Sequence, residues 1–146
     1  MRIPTLSGIA LSAMLAIPVN AGDAQAVTHA FDGSFDDATF AVESAIVGRG
    51  LVIDYVSHTG AMLERTAADV GSDVTLFGNA DIFLFCSAVL SRKVMEADPM
   101  NIAHCPYGIF VAEREDQVMV GYRTYPDGPM QEVQALLESI AVEAVE

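Results

Sequence analysis

The sequence predicts an α+β domain, a mainly antiparallel sheet with helices packed on one face, and three observations predict it. Short segments rich in β-branched and aromatic residues interleave with segments whose apolar residues recur at helical spacing. Two of the strand segments, Ile109–Ala112 and Val118–Thr124, flank the charged turn Glu113–Gln117 and read as a hairpin. An amphipathic helix then closes the chain, a grouping that favours helices layered on an antiparallel sheet. At 146 residues the chain suits one domain with one core, and it carries no internal repeat or low-complexity run.

The elements follow in order. Val27–Phe31 is a short strand. Ser34 to Asp37 is a capping-box pattern with Asp in the place of Glu. It opens a helix in which Phe35, Ala38, Val42, Ala45 and Ile46 share a face, ended by Gly48 and Gly50. Leu51–Val56 is a strand. Thr59 caps a second helix carrying Met62, Leu63, Thr66 and Val70, closed by Gly71. Val74–Phe77 reads as a short strand and Gly78-Asn79 as a turn. Asn79 then caps a third helix, from Ala80 to about Ala97. In the hairpin, Val118, Val120 and Tyr122 should face the core, with Met119 and Arg123 on the opposite side, because side chains alternate along a strand. Pro126 to Pro129 is a loop, and Pro129 suits the first turn of the last helix, about 129–145. Its apolar stripe is Met130, Val133, Leu136, Leu137 and Ile140.

Residues 1–21 read as an export leader. Arg2 is its positive end, Ile9–Ile17 its apolar stretch, too short to span a bilayer, and Val19-Asn20-Ala21 its small-residue cleavage site. Ala24-Gln25-Ala26 is a second such site. The domain is then 22–146, periplasmic or secreted, with no membrane span after cleavage. The formal charge is −13, and losing Arg2 with the leader makes the mature chain one unit more acidic. Such a surface repels phosphate backbones, and no basic stripe with interleaved aromatics is present, so nucleic acid is excluded as a partner. Acidity favours solubility, and it also suits a basic periplasmic partner such as a cationic cytochrome.

The order of motifs resembles the domain-of-unknown-function family 302 over about 31–125. The resemblance rests on the opening strand and helix, Gly50-Leu-Val-Ile53, His58 before the second helix, and Leu76-Phe-Gly-Asn79. It continues with Pro106 and the Val-x-Val-x-Tyr strand ending at Tyr122. The family's Phe-Gly-Asn step is usually followed by proline, and Ala80 stands there in this chain. The resemblance implies a compact α+β domain, often a homodimer, with no established activity. Some exported members belong to sulfur-compound or cytochrome-associated systems.

The stretch from Ile102 to Glu115, IAHCPYGIFVAERE, carries the chemistry worth weighing. Cys86 and Cys105 are the two cysteines, and an even count in an exported chain favours a disulfide. Placed on the third helix with Ile82, Phe83, Val89 and Leu90, Cys86 would point at the core. Cys105 would lie at the entry of the strand Tyr107–Ala112. A bond closing that loop stabilises by roughly 3 kcal/mol in the chain-entropy model. The rival reading is a reactive thiol at Cys105 assisted by His104. Cys-x-x-Cys is absent, and neighbouring residues of an extended segment diverge unless Ala103–Pro106 is a turn. A third reading is a copper or haem site. Its soft ligands would come from His29, His58, His104, the cysteines, Met95, Met100 and Met119, but none has ligand spacing and Cys-x-x-Cys-His is missing. No nucleophile elbow, phosphate loop or dinucleotide fingerprint occurs. His58, Tyr107 and Arg123 are the candidate contacts for a small ligand or partner. The expectation is an exported, non-catalytic binding or accessory module with a structural disulfide and no metal or cofactor. A thiol-based redox or sulfur-carrier protein acting through Cys105 is the alternative.

Overall fold

The structure is a computed structural model and describes residues 25–146; the leader and both cleavage sites lie outside or at the edge of the described residues. Five strands and four α-helices follow the order β1 (Ala26–Phe31), α1 (Phe35–Gly48), β2 (Val52–Ser57), α2 (Thr59–Thr66), β3 (Asn79–Cys86), α3 (Ala88–Ala97), β4 (Tyr107–Arg114), β5 (Gln117–Arg123) and α4 (Met130–Val145). Short 3-10 turns at Ala68–Val70 and Pro99–His104 follow α2 and α3. All five strands form one sheet in the order β1-β5-β4-β3-β2, and every neighbouring pair is antiparallel. The predicted class, helices on one face of an antiparallel sheet, is the observed one.

The helices that cover the sheet are those with the clearest sequence signals. Ser34 Oγ accepts from the Asp37 N–H, and the Asp37 carboxylate accepts from the Ser34 N–H, so the Asp version of the capping box closes as the spacing predicts. Ala38, Val42, Ala45 and Ile46 are buried along α1, and Met130, Val133, Leu137, Ile140, Ala141 and Ala144 along α4. The two helices lie against each other and over the same sheet face. There they meet Phe83, Phe85, Tyr107, Ile109, Val111, Val118, Val120 and Tyr122, the inward residues of the three central strands. The β4–β5 turn places Glu115 and Asp116 both at positive φ, the geometry of a two-residue hairpin loop that matches strand twist.

Three expectations fail locally. The segment 74–77 forms no strand. Thr59 begins α2 but does not cap it; His58 holds the cap position without a side-chain bond. The third correction matters most: Asn79 caps no helix, and the stretch from it to Cys86 is a strand. Ile82-Phe-Leu-Phe85 is apolar at every position, because both sheet faces are apolar there, and such a run carries no readable period. Phe83 and Phe85 enter the core while Ile82 lies on the other face, and Val89 is 78% exposed. The helix starts only after Ser87, whose Oγ accepts from the Leu90 N–H. Cys86 is therefore the last residue of a strand.

Among the described residues no helix layer comparable to α1 and α4 covers the sheet's second face. Ile82, Leu84, Phe110 and Met119 lie half-buried on it. The Phe110 ring lies over Gly121, its partner on the neighbouring strand, where an added Cβ would run into the ring and the Val27 carbonyl.

Candidate functional site: a thiol pair at one end of the sheet

Phe85 on β3 lies opposite Tyr107 on β4. The residues between these strands, α3 and the turn after it, are an excursion that leaves and returns at one place. Asp98 starts the final 3-10 turn by accepting from the Met100 N–H at 2.9 Å, and Cys105 caps its end. The excursion thus leaves after Cys86 and re-enters at Cys105. Cys86, the last residue of β3, and Cys105, two residues before Tyr107, are half-buried free thiols that this register brings near each other. Burial pushes the Cys86 thiol up to about 12, helped by Cys105 and then by the Asp54 carboxylate, with the Tyr107 N–H opposing. As a free thiol at neutral pH, Cys86 is a poor nucleophile.

Aromatic and polar groups surround the pair. Tyr107 is fully buried, its hydroxyl sharing a 3.0 Å hydrogen bond with Ser91 Oγ on α3. Tyr125 lies edge-on to Tyr107 and to His104, at 6.3 and 5.6 Å between ring centroids. Burial pushes Tyr125 up to about 12, partly offset by the Arg123 guanidinium, which sits 5.4 Å from the ring centroid in cation–π contact. Two atoms here, His104 Nδ1 and the Tyr125 hydroxyl, are buried with no hydrogen-bond partner among the described residues. Such orphans are uncommon in native proteins.

Of the residues singled out in the sequence, Cys86, Cys105, His104, Tyr107 and Arg123 gather at this end of the sheet. The packing of the His104 ring is on Tyr125. Tyr107 is committed to Ser91 and the core. His58 does not join them: its Nδ1 meets Asp81 Oδ1 at 2.9 Å, near the opposite end of β3. Tyr125, Ser91 and Asp54 were not legible as site residues, since they follow β5, lie on α3 and lie on β2, and only the tertiary fold brings these elements together. No group of three His, Cys, Asp or Glu residues able to hold a metal occurs among the described residues.

A second polar cluster was also invisible in the sequence. His29 Nε2 on β1 and the Tyr122 hydroxyl on β5 both meet Glu138 Oε2 on α4, at 3.0 and 2.6 Å. The Tyr122 hydroxyl, and then His29, hold the Glu138 carboxyl below its ordinary range. Burial, and then Glu138, push Tyr122 up. A lowered carboxyl contributes stability above its unfolded value of about 4.3 and loses it as pH falls through the folded value. A raised phenol contributes below about 10 and loses that as pH rises. Tyr122→Phe should therefore soften the fall in melting temperature below about pH 4.3. Calorimetry across that range checks this, and parallel acid limbs in parent and variant would remove the Tyr122–Glu138 bond from the account.

A five-stranded antiparallel sheet with helices over one face defines a small single-domain α+β protein. The chain belongs to the family described as "Domain of unknown function DUF302", which matches residues 27–144. A crystal structure of an uncharacterized conserved DUF302 protein from Bacillus stearothermophilus is similar, with a TM-score of 0.59 at 15% identity, covering 81% of this chain and 88% of that one. That likeness concerns the fold. No curated protein matches the chain.

Proposed function

We propose that this protein is an exported, non-catalytic binding or accessory module, stapled by a Cys86–Cys105 disulfide and binding through the uncovered face of its sheet. The observation that carries the reading is the apolar groove on that face, about 280 Å³, floored by Ile82, Phe110, Ala112 and Met119 and bounded by Phe77 and Thr59. Concave, largely apolar surfaces are where small apolar ligands and apolar partner segments bind. A chain this acidic that keeps one sheet face apolar has a place for such an occupant, while its charged exterior favours a basic protein partner. The placement of the two cysteines at one end of β3 and β4 supports the staple, and the raised Cys86 thiol speaks against that sulfur as a standing nucleophile.

The neutral apolar dye Nile red tests the binding face. It should bind the native mature protein, and Met119→Lys should abolish the signal while changing the melting temperature little, since Met119 is only half-buried and lies outside the core. A native protein that leaves the dye's emission as in buffer defeats the reading. N-terminal sequencing of the exported protein should begin at Gly22 or Val27; Met1 on a membrane-bound species defeats the export assignment.

A further inference from the structure

We propose that Cys105 is a site of oxidation by a neutral hydroperoxide, and that Cys86 is the thiol that resolves it into the disulfide. This rests on the reading that the two cysteines become bonded, and adds how the bond is made.

Three observations carry it. Cys86 ends β3 and Cys105 stands two residues before Tyr107, the β4 partner of Phe85, so closure needs no rearrangement of β3 or β4. The two thiols have different surroundings. Asp54, in the β2 bulge two residues from Val52, the partner of Cys86, disfavours negative charge at Cys86 and so favours first attack at Cys105. Beside the pair lie two buried hydrogen-bonding atoms with no partner among the described residues, His104 Nδ1 and the Tyr125 hydroxyl; His104 adjoins Cys105 in the chain, and its ring meets Tyr125 edge-on. These are groups suited to an oxygen placed on or near the Cys105 sulfur. The overall charge of −13 also selects among oxidants: anionic ones are repelled and a hydroperoxide is not.

The chemistry balances in two steps. The Cys105 sulfur attacks the terminal oxygen of the hydroperoxide and the O–O bond breaks. The leaving oxygen takes the thiol proton and departs as an alcohol, or as water from hydrogen peroxide. Cys105 is oxidised to a sulfenic acid and the hydroperoxide is reduced. The Cys86 sulfur then attacks the Cys105 sulfur, the S–O bond breaks, and the hydroxyl leaves with the Cys86 proton as water.

The experiment uses the mature protein, reduced and freed of oxygen, then treated with hydrogen peroxide or, separately, with the thiol oxidant diamide. Peroxide should consume both thiols and yield the disulfide. In Cys86→Ser the sulfenic acid has no partner, and dimedone should label Cys105. In Cys105→Ser dimedone should label nothing. Tyr125→Phe should slow labelling of Cys105 in the Cys86→Ser background several-fold while leaving diamide closure of the parent pair unchanged. If diamide closes the pair and peroxide does not, or if dimedone labels Cys86, or neither cysteine, the oxidation site is wrong and the disulfide stands. If neither oxidant closes the pair, the disulfide reading falls as well.

Discussion

Val120→Asp should cost more than about 4 kcal/mol, enough to unfold a domain of this size at ordinary temperature. Val120 is fully buried at the middle of β5, with His29 opposite it on β1 and Val111 on β4. α4 lies over this strand and α1 reaches it as well. A carboxylate there would lose its hydration and gain no charged partner, since the nearby His29 is already committed to Glu138. The control sits one residue away: Met119→Asp puts the same charge on the uncovered face, where water reaches it, and should cost far less. Circular dichroism melts of the two variants separate the faces of the sheet. Equal melting of Val120→Asp and the parent would mean that the register of β5 is wrong.

That register was legible because β5 alternates cleanly. Val118, Val120 and Tyr122 are buried while Met119 and Arg123 are not, as the alternation predicts. α1 and α4 were equally plain, since each combines a start signal with an apolar stripe at helical spacing. β3 was not, because its residues are apolar on both faces. The error there had a consequence for the site. Placed on a helix, Cys86 would reach Cys105 only across a helix–sheet interface. As the end of a strand bonded to β4, it meets Cys105 at the foot of the excursion. The pairing of the two cysteines as neighbours was thus expected for the wrong reason. Tyr125, Asp54 and the His29–Glu138–Tyr122 cluster lay beyond sequence reading altogether. Their partners are distant in the chain and brought near only by strand order, which no local pattern encodes.

In the exported protein Cys86 and Cys105 should be bonded, and a denatured, unreduced sample should contain no free thiols. Replacing both with alanine should lower stability by about 2–5 kcal/mol while Nile red binding persists, because the groove is built from Ile82, Phe110 and Met119. The pH dependence of the reduced protein distinguishes a staple from a bystander pair. With both thiols free, the Cys86 thiol is pushed up to about 12 in the folded state, well above the ordinary thiol value of about 8.5. A thiol raised by folding contributes stability while it stays protonated in both states. The contribution is lost as pH climbs from about 8.5 toward the folded value, because the unfolded chain releases its proton first. The bonded form has no thiol to titrate. The gap between the oxidised and reduced proteins in urea midpoint should therefore widen steadily above about pH 8.5. A gap that is constant across that range would mean that Cys86 titrates as an exposed thiol and does not sit against Cys105. A gap of zero at every pH would mean that the bond fixes nothing that β3 and β4 do not already hold.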